Sequence, residues 1–260
     1  VKIAWLTDSH GIFVDRHAWH LALNLVAEFK PTHLPVGSDD VDFYTLSRFD
    51  KDPDRKDTLQ NELDFQYDRY QELRDAGGAI EYPTVLGNHN ERLMKSLWRD
   101  PKWSSLRAVE YPNLLAYETF GFSWAGNSRD YLTNREWWAT PNLVFTHGEK
   151  ASLHPGYSVK NQMAARFYDA SLVMGHCHRG ALSYLTKPNG VMVFGVEGYC
   201  LCQLHPEYAP ITNWTQGVVF ITIHPTGISE VEMIPFVRSD GRLHAYWRHA
   251  DYSVSLSRTF

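Results

Sequence analysis

The sequence predicts an α/β fold, a sandwich built around a mixed β-sheet, and three observations carry that expectation. Short apolar segments of β character recur along the chain, amphipathic helical stretches separate the early ones, and later strands follow with few helices between them. A length of 260 residues with 43% hydrophobic content suits a chain that buries a core without disulfides.

The β-type segments fall at residues 3–6, 33–36, 80–86, 142–146, 172–174, 191–196 and 218–223. A first helix is predicted over 15–29, where Trp19, Leu21, Leu23, Leu25, Val26 and Phe29 make an imperfect one-face pattern. A second spans 56–76, highly charged, with Leu59, Leu63, Tyr67, Tyr70 and Leu73 at helical spacing. Residues 158–168 make a third. The stretch 43–53 has no period and reads as a loop over one edge of a site. No repeat or low-complexity linker divides the chain. The expected organisation is one domain over 1–247 and a polar, poorly ordered tail over 248–260.

Composition narrows the function classes. The formal charge of −5 supplies no basic surplus for gripping a long nucleic acid, although two bound divalent ions would add four positive charges locally. No run of 18 apolar residues is present, so no membrane-spanning helix and no membrane partner are expected. The first residues lack the pattern of a secretion signal. Cys177, Cys200 and Cys202 do not make a disulfide framework, and a cytoplasmic setting is expected.

The chemistry sits where the strands end. Asp8-Ser9-His10 follows the first, Ser38-Asp39-Asp40-Val41-Asp42 the second, and Gly87-Asn88-His89-Asn90 the third. His147-Gly148 and Gly175-His176-Cys177-His178 follow two more. In α/β sheets, ligands gather beyond the carboxyl ends of strands. Oxygen and imidazole donors with no required thiolate suit manganese first, with iron, zinc, nickel or cobalt as alternatives. Each motif alone is bland, since an Asp-x-His serves turn chemistry as readily as a metal. Cys177 alternates away from its two histidines and reads as a packed thiol. Cys200 and Cys202 read as packing too, and Asp40 as a solvated neighbour.

Taken together and in this order, these five blocks resemble those of the calcineurin-like metallophosphoesterases. The family pattern is Asp-x-His, Gly-Asp-x-x-Asp, Gly-Asn-His-Asp/Glu, a His before a small residue, and Gly-His-x-His. The resemblance implies a four-layer α/β/β/α sandwich of mixed sheets with a dinuclear metal site at the strand ends. It implies that Asp8, His10 and His178 hold one divalent ion, that Asn88, His147 and His176 hold another, and that Asp39 bridges both. His89 would protonate the leaving oxygen while a hydroxide shared by the ions attacks phosphorus. Asp42 would support ligand geometry from behind. Two positions depart from the pattern. Ser38 replaces a Gly, and Asn90 replaces the acid that in the family resembles an orienting partner of the catalytic His; a neutral Asn would support a charged imidazole less.

Substrate choice is read from weaker signals. Protein phosphatases of this superfamily carry an Arg-Gly pair where Phe43-Tyr44 stands, so that branch is disfavoured. The Gly-His-x-His ending and compact size look more like the phosphodiesterase branch. The run from Asp42 to Pro53 also resembles compact, stand-alone members carried by bacteriophages and prophages. The expected substrate is a phosphodiester of a nucleotide or nucleic acid. A broad phosphomonoesterase and a non-catalytic scaffold of the same fold are the alternatives. Arg48, Arg92, Lys150, Tyr157, Lys160 and Arg179 lie close enough to the blocks to touch substrate. Trp98, Trp103, Trp137 and Trp138 are candidates for base stacking, against the ordinary role of large aromatics in packing.

Overall fold

Strand β1 (Lys2–Trp5) is buried on both faces, and its alternation sets the layers of the molecule. Ile3 and Trp5 face a second sheet, while Ala4 faces helices. The computed structural model describes residues 1–256 except Ile80, Tyr168, Tyr208 and Pro210. β1 pairs antiparallel with β7 (Gly217–Ile223), and β7 with β8 (Ser229–Pro235). On its other side, parallel bridges Ile3↔His33, His33↔Glu81 and Val36↔Thr84 carry the sheet through the extended segments 32–36 and 81–85. The strands predicted at 33–36 and 80–86 are thus present as bridged segments, with Ile80 outside the described residues.

The second sheet runs β2 (Glu136–Thr140), β3 (Leu143–Thr146), β4 (Ser171–Met174), β6 (Met192–Gly198), β5 (Gly180–Thr186). Its centre, β3–β4–β6, is parallel and its two edges are antiparallel. The sheets face each other through Ile3, Trp5, Phe145, Val173, Val196 and Ile221. The opposite faces are covered by helices, which gives the α/β/β/α order. Val218 and Phe220 of β7 pack toward α1 (Arg16–Phe29) and α2 (Leu59–Gly77). Val144, Leu172 and Met174 pack under a helix over Tyr157–Arg166. Between lie α3 (Glu91–Arg99) and three single turns, α4 (Pro101–Ser104), α5 (Tyr111–Leu114) and α6 (Tyr117–Phe120), so the helix under the second sheet is α7.

Asp15 caps α1 by accepting from the His17 and Ala18 amides, and Thr58 caps α2 by accepting from the Asn61 amide. The imperfect pattern of α1 has a physical reason. A small third sheet, β9 (Val237–Ser239), β10 (Arg242–Trp247) and β11 (Ala250–Ser255), covers its outer side, with Leu243, Ala245 and Trp247 in the same core.

That sheet corrects the expected tail. Residues 250–255 pair with β10 in full register, from Arg242↔Ser255 to Trp247↔Ala250; residues 257–260 lie outside the described residues. The connecting turn, Arg248-His249, holds both residues at positive φ, 50° and 66°. Such a two-residue hairpin turn ordinarily announces itself with Asn-Gly or Asp-Gly.

Candidate metal centre

β1, the 33–36 and 81–85 segments, β3 and β4 all end at one rim of the sandwich, and the loops leaving them converge. His178 Nε2 lies 3.1 Å from both His10 Nε2 and Asp8 Oδ1, and His10 Nε2 is 3.8 Å from that same oxygen. A second group surrounds His147 Nε2, with Asn88 Oδ1 at 3.0 Å, Asp39 Oδ2 at 3.1 Å and His176 Nδ1 at 3.2 Å. Asp39 also belongs with Asp8 and His10 to a three-residue group whose donor atoms all lie within 4.8 Å of one another. Two clusters therefore share one carboxylate.

Each acid is divided between structure and site. Asp8 Oδ2 accepts from the Thr7 hydroxyl (2.7 Å) and the His176 amide (2.9 Å), whereas its Oδ1 is buried without a hydrogen bond. Asp39 Oδ1 accepts from the His89 amide (2.8 Å), which leaves Oδ2 toward His147. Three histidines are held from behind. His10 Nδ1 meets Asp42 Oδ2 at 3.1 Å, His147 Nδ1 meets the Ser38 hydroxyl at 2.9 Å, and His178 Nδ1 lies 3.8 Å from Cys202 Sγ. Trp214 packs edge-on against the His178 ring at 4.1 Å.

The backbone is strained at these positions. Asp8, His10, Asp39, His176 and His178 all sit at positive φ, between 49° and 67°. Non-glycine residues in this region cost on the order of 1–3 kcal/mol each and persist where the surroundings over-determine them. Here the surroundings are explicit: the Asp8 amide donates to Ser38 O (2.8 Å), and the His10 amide to Asp39 O (2.9 Å). Close approach also demands glycine. A Cβ on Gly175 would overlap the Thr7 hydroxyl and meet Asp8 Oδ2 at 2.5 Å, and one on Gly87 would overlap the Asp39 carboxylate.

Electrostatics favour the ligating forms of the two acids and of His176, whereas Asp39 and Asp8 raise His147 toward its protonated form. Burial alone would push Asp8 up, but the His178 and His147 rings outweigh it and hold the carboxyl at about 2. Asp39 is likewise held well below the usual range by His147 and His89 despite burial. Burial and then the nearby His147 lower His176 to about 4, leaving a neutral imidazole at neutral pH. Neutral imidazoles and ionised carboxylates are the forms that bind metal.

The donor set fits divalent ions. Ligands about 2.0–2.2 Å from a shared ion sit roughly 3–3.5 Å from one another, and the contacts to His178 Nε2 and His147 Nε2 have that spacing, while His10 Nε2 and Asp8 Oδ1 are wider apart at 3.8 Å. The orphaned Asp8 Oδ1 supplies the buried acceptor that such an ion would satisfy. The His and Asp groups on this rim are thus able to hold metal.

Beside the cage, His89 Nδ1 contacts Asp42 Oδ2 at 2.8 Å. Asp42 is 2% exposed and also accepts from Arg92 Nη1 at 2.5 Å, while Arg92 Nη2 lies 3.1 Å from His89 Nε2. Asn90 does not face the His89 ring. Its Oδ1 accepts from the Asp39 (3.1 Å) and Gly87 (2.8 Å) amides, and its Nδ2 donates to Asp40 and Tyr111. The orienting carboxylate comes from Asp42, so Asn90 serves to staple two loops. Asp40 is not a solvated neighbour either, since its carboxylate also accepts from the Tyr70 hydroxyl at 2.6 Å.

The candidate substrate residues scatter. Arg48 and Arg92 line a cleft that includes Asn88 and His89. Arg179 is buried and clasps the Ser152 and Leu153 carbonyls, a task set by loop 149–156 and not by a substrate. Lys160 sits over the Tyr157 ring and lines a separate cleft that contains no cage residue. Lys150 is exposed. Of the tryptophans, Trp137 packs between the sheets against Phe145, Trp138 packs on Phe167, and Trp98 and Trp103 are exposed. Sequence reasoning passed over Trp214, the Ser38 hydroxyl's hold on His147, and the contact of Cys202 with His178.

Neither protein-family models nor curated proteins gave a match to this chain. Among solved structures, a single mutant of Vps29 from Entamoeba histolytica aligns over 99% of this chain and 100% of its own, at 9% identity and a TM-score of 0.44. The functional reading therefore rests on the geometry of the rim.

Proposed function

We propose that this chain is a dinuclear metal-dependent phosphodiesterase acting on esters of nucleotides or nucleic acids. The observation that carries the reading is the pair of donor clusters sharing Asp39, with His89 beside them. Asp8, His10 and His178 would hold one ion, Asn88, His147 and His176 the other, and Asp39 both. When bound, the ions supply Lewis acidity and neutralise charge on the phosphoryl oxygens.

The chain's own residues do the rest. Asp42 takes the Nδ1 hydrogen of His89, which fixes the tautomer and leaves Nε2 as the proton-passing atom. Arg92 holds the Asp42 carboxylate and donates from Nη2 to the bare Nε2 of His89, a contact the leaving oxygen would replace once Nε2 carries a proton. His89 then donates its proton to that oxygen. Ser38 and Asp42 keep His147 and His10 aimed into the cage.

The test compares bis(p-nitrophenyl) phosphate with p-nitrophenyl phosphate, with added manganese and with chelator. Metal-dependent turnover that favours the diester supports the proposal. Preference for the monoester would move the reading to a phosphomonoesterase, and no metal-dependent turnover of either would favour a scaffold.

A further inference from the structure

His89 marks the side on which the leaving group departs, and that side is chemically distinct. The cleft bordered by Asn88 and His89 encloses about 350 Å³ and is lined by Arg48, Phe49, Arg92, Lys95 and Arg99 with no acidic residue among its described lining. This is unexpected in a chain with 30 acidic against 25 basic residues. Arg92, Lys95 and Arg99 recur at helical spacing on α3, and Arg48 stands on the opposing loop. Their engagements differ. Arg92 is tied to Asp42, and Lys95 pairs with Glu91 at 2.8 Å. Arg48 and Arg99 are exposed and form no ion pair among the described residues.

The opposite side of Asn88 provides the contrast. A cleft of about 160 Å³ there also contains arginines, but they are neutralised. Arg166 pairs with Glu136 at 2.5 Å and Glu149 at 2.8 Å, and Arg135 with Glu91 at 2.9 Å. On the leaving-group side, by contrast, Arg48 lies over the Phe49 ring at 5.4 Å and neither it nor Arg99 forms an ion pair among the described residues. A guanidinium fork matches phosphate oxygens in pairs.

We infer that the alcohol released by this site itself bears a phosphate, which Arg48 and Arg99 receive while His89 protonates the scissile oxygen. The substrate is then a phosphodiester with a second phosphate beyond the scissile bond, as in a short oligonucleotide with a terminal phosphate. The inference rests on the phosphodiesterase reading and adds the identity of the leaving group.

The experiment measures kcat/KM for the dithymidine phosphodiester TpT and for its terminally phosphorylated forms pTpT and TpTp, with products separated by chromatography. One phosphorylated form should be cleaved about tenfold faster than TpT, the scale of a charge-assisted contact at a partly exposed site. The Arg48→Gln/Arg99→Gln variant should bring that ratio close to one. Arg99 lies exposed in the last turn of α3, so its replacement leaves the core intact. A ratio near one in the wild-type protein, or a ratio retained in the double variant, would overturn the inference. Turnover of bis(p-nitrophenyl) phosphate reports the underlying reading separately. If that turnover persists while the ratio is one, only the subsite is lost; if no ester is turned over, both are.

Discussion

Replacing Asp42 by Asn changes one oxygen for an amide without altering shape, and the structure shows why no rotamer accommodates it. Oδ2 receives His89 Nδ1 at 2.8 Å and His10 Nδ1 at 3.1 Å, while Oδ1 receives Arg92 Nη1 at 2.5 Å. If the Asn oxygen faces the histidines, its NH2 opposes the guanidinium; if it faces Arg92, the NH2 opposes two ring N–H groups. One buried donor contact is lost in the first orientation and two in the second, at a cost of about 1–3 kcal/mol for each, and the remaining bonds lose their charge assistance. The His10 arm should weaken metal binding roughly tenfold, the lower end for loss of a group behind a metal-ligating His, because an acceptor can still be offered. The His89 arm should slow esters with alkyl leaving groups about tenfold, since the ring loses the charge-assisted hold of the Asp42 carboxylate on its Nδ1 hydrogen. Two assays read these effects: manganese titration, and kcat/KM over diesters graded by leaving-group acidity at saturating metal. Equal fractional losses across all leaving groups with unchanged metal affinity would refute the reasoning.

Three further outcomes follow from the same geometry. His89→Ala should retain both ions yet lose roughly 10²–10⁴-fold on alkyl esters and much less on nitrophenyl esters, because only poor leaving groups need the proton; parallel kinetic series and metal analysis check it. Gly175→Ala should lower metal content and the thermal midpoint together, since a Cβ there overlaps Thr7 and crowds Asp8, and differential scanning with metal analysis would show both. Metal affinity should fall as pH drops. His147 is buried, which opposes protonation, yet Asp39 and Asp8 outweigh that and raise it above the ordinary value of 6.5. Protons thus compete fully below its raised value and progressively less above it, so the apparent manganese affinity should climb with pH from about 6 to 8.

How much of this was legible beforehand varied with the kind of signal. Continuously apolar buried strands such as β3, β4 and β7 stood out, because burial on both faces leaves uninterrupted runs. β5, β10 and β11 are half exposed and alternate with polar residues, and β11 follows a turn whose Arg248-His249 carries no turn signature. The Asp240-Gly241 pair before β10, at φ 50° and 69°, was a readable hairpin signal. At the site, residue types placed at strand ends pointed to the cage. What lay hidden was the layer behind it. Ser38, 109 residues from His147, and Cys202, 24 from His178, meet their partners only through tertiary folding. Asn90 misled for the same reason: its neighbour in sequence is His89, but its amide reaches Asp39 and Tyr111 instead.

The most direct measurement is anomalous X-ray scattering from crystals grown with manganese. Two peaks about 3.5–4 Å apart, one among Asp8, His10 and His178 and one among Asn88, His147 and His176, with Asp39 touching both, are the expected result. Asp39→Ala crystals should show one or both peaks depleted. Manganese bound elsewhere on the surface with none between these side chains, or two full peaks in the variant, would contradict the assignment of this rim as a dinuclear centre.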